Sequence, residues 1–499
     1  MASDVNEVWK RNPRTHAELH ASSHVGIRFG RQSSPRADFV SSSLVGSDSL
    51  SSGSMTHRLI RRFIPVVVAC LVFTMPRQAP VLAKAAPDRG TIVAGKPEDL
   101  GFSPERLARI HEAVQRHIDA KSVAGAVTMV VRNGRIAHLE GHGVIDLETN
   151  RPMPKDAIFR LASMSKPVTA VAVMMMLEEG KLRLTDPVSR FIPEFKNMKV
   201  AVPKPGSGSE AAPAAAGGRG GRGAAPVEVD LVPASREITV RDLLTHGSGL
   251  MSGGLGQRAS ASLAQRAPDD TLASYIPKLG GAVLDFQPGT LWRYSGLAGF
   301  DVLSRIVEIT SGQPFDRFLK QRLFDPLGMK DTGFALLPDR ASRIVPLYRR
   351  GQNGLEKLPD QNGLSSATYF SGAGGLVTTA EDYAQFATML VSGGELNGKR
   401  YLSPRTIELM ASNHTGEMAG GQMGMSPRGI GFGLGVEVVE DPVAADRRVS
   451  KGAWGWAGAY GTNVHIEPQE KMVTIILMQT STPALQRDFE NAVFQAIVK

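Results

Sequence analysis

The chain has 499 residues, 42% hydrophobic and 21% charged, enough for two or three lobes with a sizeable core at roughly 100–200 residues per domain. Its formal charge of +9 does not describe the body, because residues 1–85 hold eleven Lys/Arg against five Asp/Glu and leave +3 for the rest. No finger, recognition helix or RNA-binding signature accompanies the excess, so a nucleic-acid partner is excluded. Cys70 is the single cysteine, so a chain beginning after it has no disulfide, thiolate catalyst or cysteine-based metal site.

Residues 1–54 are polar and Ser-rich and read as a disordered leader or a mis-called start. Residues 55–85 have the three parts of an export signal: Arg58, Arg61 and Arg62, then the apolar run Phe63 to Met75, then Ala83-Lys84-Ala85 as a cleavage site. That run is shorter than the roughly 20 apolar residues a membrane-spanning helix needs. A lipoprotein site at Cys70 fits less well, because the apolar run continues past it. The expectation is a periplasmic or secreted body, residues 86–499, with no membrane span.

In the body, "VAGAVTMVVRNGRIAHLEGHGVID" predicts two strands around an Asn133-Gly134 hairpin turn. His138 and His142 fall on one face of the second strand, beside Glu140, and read as a solvated face rather than a metal site. Residues 201–235, rich in Gly, Ala and Pro, predict a disordered surface loop. Helical patterns follow at 299–310, 313–323, 380–392 and 403–411. "GTNVHIEPQEKMVTIILMQTS" then supplies two more strands, and a helix is expected from Pro483 to Val498. The fold class is therefore α+β, an antiparallel sheet flanked by helices with an inserted, mostly helical lobe.

The stretch "FRLASMSKPVTAVAVMMMLEEGKL", residues 159–182, places two serines and a lysine at the head of a long apolar run. Serine is a favoured helix cap and Pro167 suits a first turn, so these serines have a purely structural reading. Residues three apart on a helix are neighbours, however, so Ser163 can meet Lys166 where Ser165 cannot. The turns that follow are apolar on all sides and predict a buried helix. A lysine at the head of such a helix is a candidate base, and the helix N-terminus favours an alkoxide or oxyanion.

Four later segments join this one: "ITVRDLLTHGSGL" (238–250), "PGTLWRYSGLAGFDVLSRIVEITSGQPFDRFLKQRLFDPLGMKDTGF" (288–334), "GGLVTTAEDYAQFATMLVSGG" and "WGWAGAYGTNVHIEP". Together they resemble the serine β-lactamase and penicillin-binding-protein-like hydrolases, especially class C β-lactamases and the family VIII carboxylesterases, over most of residues 97–498. The resemblance implies the β-lactamase/transpeptidase-like fold, with Ser163 as acylated nucleophile, Lys166 as its proton partner and Tyr294 as a proton relay. It also implies an oxyanion hole from the backbone N–H groups of Ser163 and Ala459, with Trp456 and Gly458 in the third motif. His246 reads as a structural loop residue. No cofactor or metal is implied.

Two departures bear on substrate. Tyr294-Ser295-Gly296 lacks the amide of the family's Tyr-x-Asn, and Trp456 stands where a lysine often sits. Both weaken the β-lactamase and D-amino-acid-peptidase readings and favour small carboxylic esters, cleaved through an acyl-enzyme. A GxSxG elbow occurs nowhere, which disfavours an α/β-hydrolase. A non-catalytic binding module is the remaining alternative. Oligomeric state is not legible in the sequence.

Overall fold

The computed structural model describes residues 92–205, 228–336, 338–359, 368–422 and 428–499. The expected leader (1–54) and export signal (55–85) lie outside the described residues, as does most of the 201–235 insertion.

A single large sheet organises the body. Its strands are β1 (Val93–Ala94), β2 (Gly125–Arg132), β3 (Arg135–Asp146), β4 (Ile430–Phe432), β5 (Glu437–Val439), β6 (Trp454–Ala457), β7 (Asn463–Glu467) and β8 (Met472–Leu477). They run in the order β1-β3-β2-β8-β7-β6-β5-β4, and Arg151–Pro152 pairs with β3. Every pairing along that order is antiparallel except β1 with β3. The β2–β3 turn has Asn133 at φ +52° and Gly134 at φ +70°, the left-handed pair that a two-residue hairpin turn requires. β2 from one end of the chain lies beside β8 from the other, so the sheet draws on both ends of the chain.

All eight residues of β2 are buried, because helices cover both faces. Ala126 and Val130 pack toward α1 (Arg109–Asp119) and the C-terminal helix Pro483–Phe494. Val127, Met129 and Val131 face a larger core built around α2 (Lys166–Glu178). As its composition predicts, α2 is buried from Lys166 to Met176. The helical lobe, with α3 (Ala298–Ser311) and α4 (Ala380–Val391), is inserted between β3 and β4. The expected helix 313–323 is α-helical only over Phe315–Leu319 and continues as a wider π turn through Phe324.

Two expectations need correction. The insertion at 201–235 is not loop throughout, because Lys199–Pro203 and Val229–Pro233 form an antiparallel ladder whose ends meet at Pro203 and Val229. Val200 and Val202 in the first and Val229 and Val232 in the second suit a strand, although the composition between the two does not. The face carrying His138 and His142 is not solvated either. α1 covers it, His142 is only 2% exposed, and burial holds both imidazoles down to about 4.

Candidate active site

Ser163 lies in a 3₁₀ turn, Ala162–Ser165, that leads into α2. Three residues per turn in such a helix places residues i and i+3 in line, and the Lys166 ammonium nitrogen lies 3.2 Å from Ser163 Oγ. The phenolic OH of Tyr294 donates to the same oxygen at 2.7 Å. The structure thus brings Ser163, Lys166 and Tyr294 together around one hydroxyl. Neither Ser163 nor Ser165 caps the helix with its side chain. Ser165 is fully buried and its Oγ accepts from the Leu376 N–H at 3.2 Å, tying the turn to a neighbouring loop.

Lys166 is fully buried. Besides Ser163, its Nζ donates to the carbonyl oxygens of Gly296 (2.7 Å) and Ala373 (2.8 Å). Two carbonyls take two N–H bonds and leave the third direction on Ser163 Oγ. That direction is an N–H in the ammonium and a lone pair in the amine. The rings of Tyr294 and Phe300 lie 4.9 and 5.6 Å from Nζ and offer a cation π faces.

The two carbonyls were not legible in the sequence, since any residue carries one. Their support is identifiable in the structure. Asp301, buried in α3, accepts from Ser371 Oγ (2.7 Å), Tyr369 OH (2.9 Å) and the Ala373 N–H (3.1 Å). Burial raises its carboxyl above the ordinary range. Asp301 therefore orders the loop whose Ala373 carbonyl holds Lys166, and the Asp in "AGFDVLSRI" together with "SGAGG" is the only sequence trace of that arrangement.

β6 forms the opposite wall. A Cβ at Gly458 would lie 2.1 Å from the Leu161 carbonyl oxygen and 2.2 Å from Thr462 Oγ1, so only glycine lets this strand end close on the Ser163 turn. Ala459 follows, exposed, in a turn closed by Gly461 N–H to Gly458 O at 2.9 Å. Among the described residues its N–H meets no acceptor. Trp456 is buried with Trp292, Phe432 and Ala419, its ring 5.7 Å from that of Tyr294. The indole N–H groups of Trp292 and Trp456 have no hydrogen-bond partner among the described residues.

His246 lies beneath Tyr294, ring to ring at 4.5 Å, at φ +58°. Its Nδ1 accepts from the Ser295 N–H at 3.2 Å. It thus holds the backbone next to Tyr294, in keeping with a structural part. Burial, with a smaller contribution from nearby Lys166, lowers its pKa well below the ordinary histidine value. The unfolded chain therefore takes a proton first as pH falls below about 6.5, and stability drops there by up to about 1.4 kcal/mol per pH unit. In His246→Asn, a residue that tolerates positive φ and keeps an acceptor, that contribution is absent. Urea midpoints at pH 7.5 and 5 should then show the parent losing stability relative to the variant; a constant gap would contradict a neutral buried imidazole.

The model of the Beta-lactamase family matches residues 110–497. An uncharacterised protein of Mycobacterium tuberculosis (strain CDC 1551 / Oshkosh) is 33% identical over 394 residues, 76% of this chain and 92% of its own. Esterase EstB of Burkholderia gladioli is 29% identical over 416 residues, 78% of this chain and 94% of its own. Among solved structures, EstCE1, described as a hydrolase with promiscuous acyltransferase activity, superposes with a TM-score of 0.64 at 27% identity, covering 78% of this chain and 99% of that one. The family model matches most of the chain, so the chain belongs to the β-lactamase family of serine hydrolases.

Proposed function

We propose that this chain hydrolyses small, uncharged carboxylic esters through an acyl-enzyme on Ser163. Lys166, as the amine, takes the Ser163 proton while Oγ attacks the ester carbonyl carbon. The N–H groups of Ser163 and Ala459 meet the negative charge that develops on the carbonyl oxygen. Tyr294 passes a proton to the departing alkoxide, which leaves as the alcohol, and takes one from the water that then attacks the acyl-enzyme. As that water's oxygen bonds to the acyl carbon, the Ser163 Oγ–acyl bond breaks, Lys166 returns its proton to Oγ and the acid leaves, so the residues end as they began.

The observation that carries the ester reading is the wall beside Tyr294. Trp456 is buried in an aromatic cluster where a cation would meet a substrate carboxylate. Gly296 adds no amide, and a Cβ there would meet nothing within 4 Å. Leu291, Leu297 and Met418, exposed, adjoin Trp292, Gly296 and Ala419 in the chain and add no charge there. The esterase name of a relative from Burkholderia gladioli supports the same reading.

A charge-assisted hydrogen bond contributes about 1.5–3 kcal/mol, so its absence should cost carboxylate-bearing substrates roughly 10- to 150-fold. The test is kcat/KM for nitrophenyl butyrate against a chromogenic cephalosporin, in the parent and in Trp456→Lys. The parent should favour the butyrate. A parent that prefers the cephalosporin would overturn the ester reading in favour of a β-lactamase or D-amino-acid peptidase, and a parent inert to both with Ser163 unlabelled would favour a non-catalytic module.

A further inference from the structure

On the opposite face of the sheet from Ser163, α1 lies across β3 and brings three metal-ligating side chains together. His111 Nδ1 lies 2.7 Å from Glu140 Oε1, and His142 Nδ1 lies 3.7 Å from that same oxygen. One ligand atom from each of the three residues lies within 4.8 Å of the others. The side chains of His111 and Glu140 are 53% and 33% exposed, whereas that of His142 is fully buried.

The buried imidazole has an unanswered hydrogen-bonding demand. Thr128 Oγ1 lies 2.8 Å from His142 Nε2 and 2.8 Å from His138 Nε2. A hydroxyl has one proton, so it donates to one ring and accepts from the other. If His142 Nε2–H donates to Thr128, Nδ1 presents a bare lone pair to the Glu140 carboxylate. If Nε2 accepts instead, Nδ1–H points at an oxygen 3.7 Å away, beyond hydrogen-bond reach. Among the described residues the buried Nδ1 has no hydrogen-bond partner in either tautomer. A cation between Nδ1 and the carboxylate removes the conflict and selects the first tautomer. Thr128 then serves as the outer partner that fixes the ring, as is usual for a ligating histidine.

We propose that His111 Nδ1, a Glu140 carboxylate oxygen and His142 Nδ1 bind one divalent transition metal ion of the zinc type. Two imidazole nitrogens and a carboxylate oxygen are zinc ligands, whereas Mg²⁺ and Ca²⁺ select all-oxygen sites. Tetrahedral bonds of about 2.0–2.1 Å separate neighbouring ligand atoms by about 3.3 Å. The observed 2.7 and 3.7 Å bracket that separation, and half-exposed His111 is free to adjust. The fourth position opens on the side of His111 and takes water. The bound ion pins α1 to β3, and because it binds only the folded chain it stabilises the fold by mass action.

The full chain, stripped with a chelator, is titrated with ZnCl₂ by calorimetry and with Co²⁺ by visible absorption, beside His111→Ala and Glu140→Gln. The chain has eleven histidines, so the informative quantity is the difference in stoichiometry between parent and variants. The parent should bind one equivalent more than either variant, with a four-coordinate Co²⁺ spectrum that both variants lose. Zinc at about 100 times its Kd should raise the parent Tm by roughly 3–6 °C and leave the variants unmoved. His111 is on the surface, so its removal should leave the fold and the Ser163 ester burst intact. Equal stoichiometry and equal Tm shifts in parent and His111→Ala would overturn the site, as would a parent that binds no ion.

Discussion

Replacing Ser163 by alanine is expected to abolish covalent labelling by a fluorophosphonate and to lower kcat for nitrophenyl esters by about 10⁴-fold or more, the scale on which loss of a nucleophile acts. Ser165→Ala is expected to keep labelling and measurable turnover. The difference lies in what each hydroxyl touches. Ser163 Oγ meets Lys166 Nζ and the Tyr294 OH, while Ser165 Oγ accepts from the Leu376 N–H in a fully buried setting. Removing the second hydroxyl leaves a buried donor without an acceptor, so Ser165→Ala should lose stability by about 1–3 kcal/mol. Labelling and melting curves on both variants separate the two effects. Equal loss of labelling in two folded variants would sink the assignment of Ser163.

The second large effect is expected at its partners. Lys166→Ala and Tyr294→Phe should each slow acylation by about 10²- to 10⁴-fold, as general acid–base groups do when removed. Both contact one oxygen, at 3.2 and 2.7 Å, so in the proposed reaction they belong to one proton network. Groups that act as a unit lose activity non-additively, and the double variant should be scarcely worse than the poorer single one. Lys166→Ala also leaves the Gly296 and Ala373 carbonyls without their donor and should melt lower, whereas Tyr294→Phe should not. Burst kinetics on the three variants provide the check. Losses that add fully in free energy would show that no proton network joins the two residues.

Much of this was written in local spacing. The Asn133-Gly134 turn, the buried α2 and the Ser163-x-x-Lys166 interval depend on residues within a few positions of each other, where backbone geometry leaves little choice. Even the turn type mattered little, because residues three apart are neighbours in an α-helix and in line in the observed 3₁₀ turn. The five collinear motifs carried the family. They placed Tyr294 beside Ser163 across 131 positions, which no local rule could do.

Tertiary structure alone decided the rest. The carbonyls of Gly296 and Ala373 hold Lys166 from 130 and 207 residues away, and a backbone carbonyl has no signature in sequence. Strand alternation put His138, Glu140 and His142 on one face, but whether that face meets water depends on what packs over it. α1 packs over it, which buries His142, brings in His111 and turns a face expected to be solvated into a cluster with one nitrogen unpaired among the described residues. The ends of the 201–235 insertion likewise became strands because each found the other as a partner, and strand formation needs a partner that composition cannot supply. Sequence by itself determined the elements whose reasons lie within one or two turns, together with the interval that lets Ser163 meet Lys166; packing decided which groups share a site, because burial and long-range hydrogen bonds belong to the folded chain.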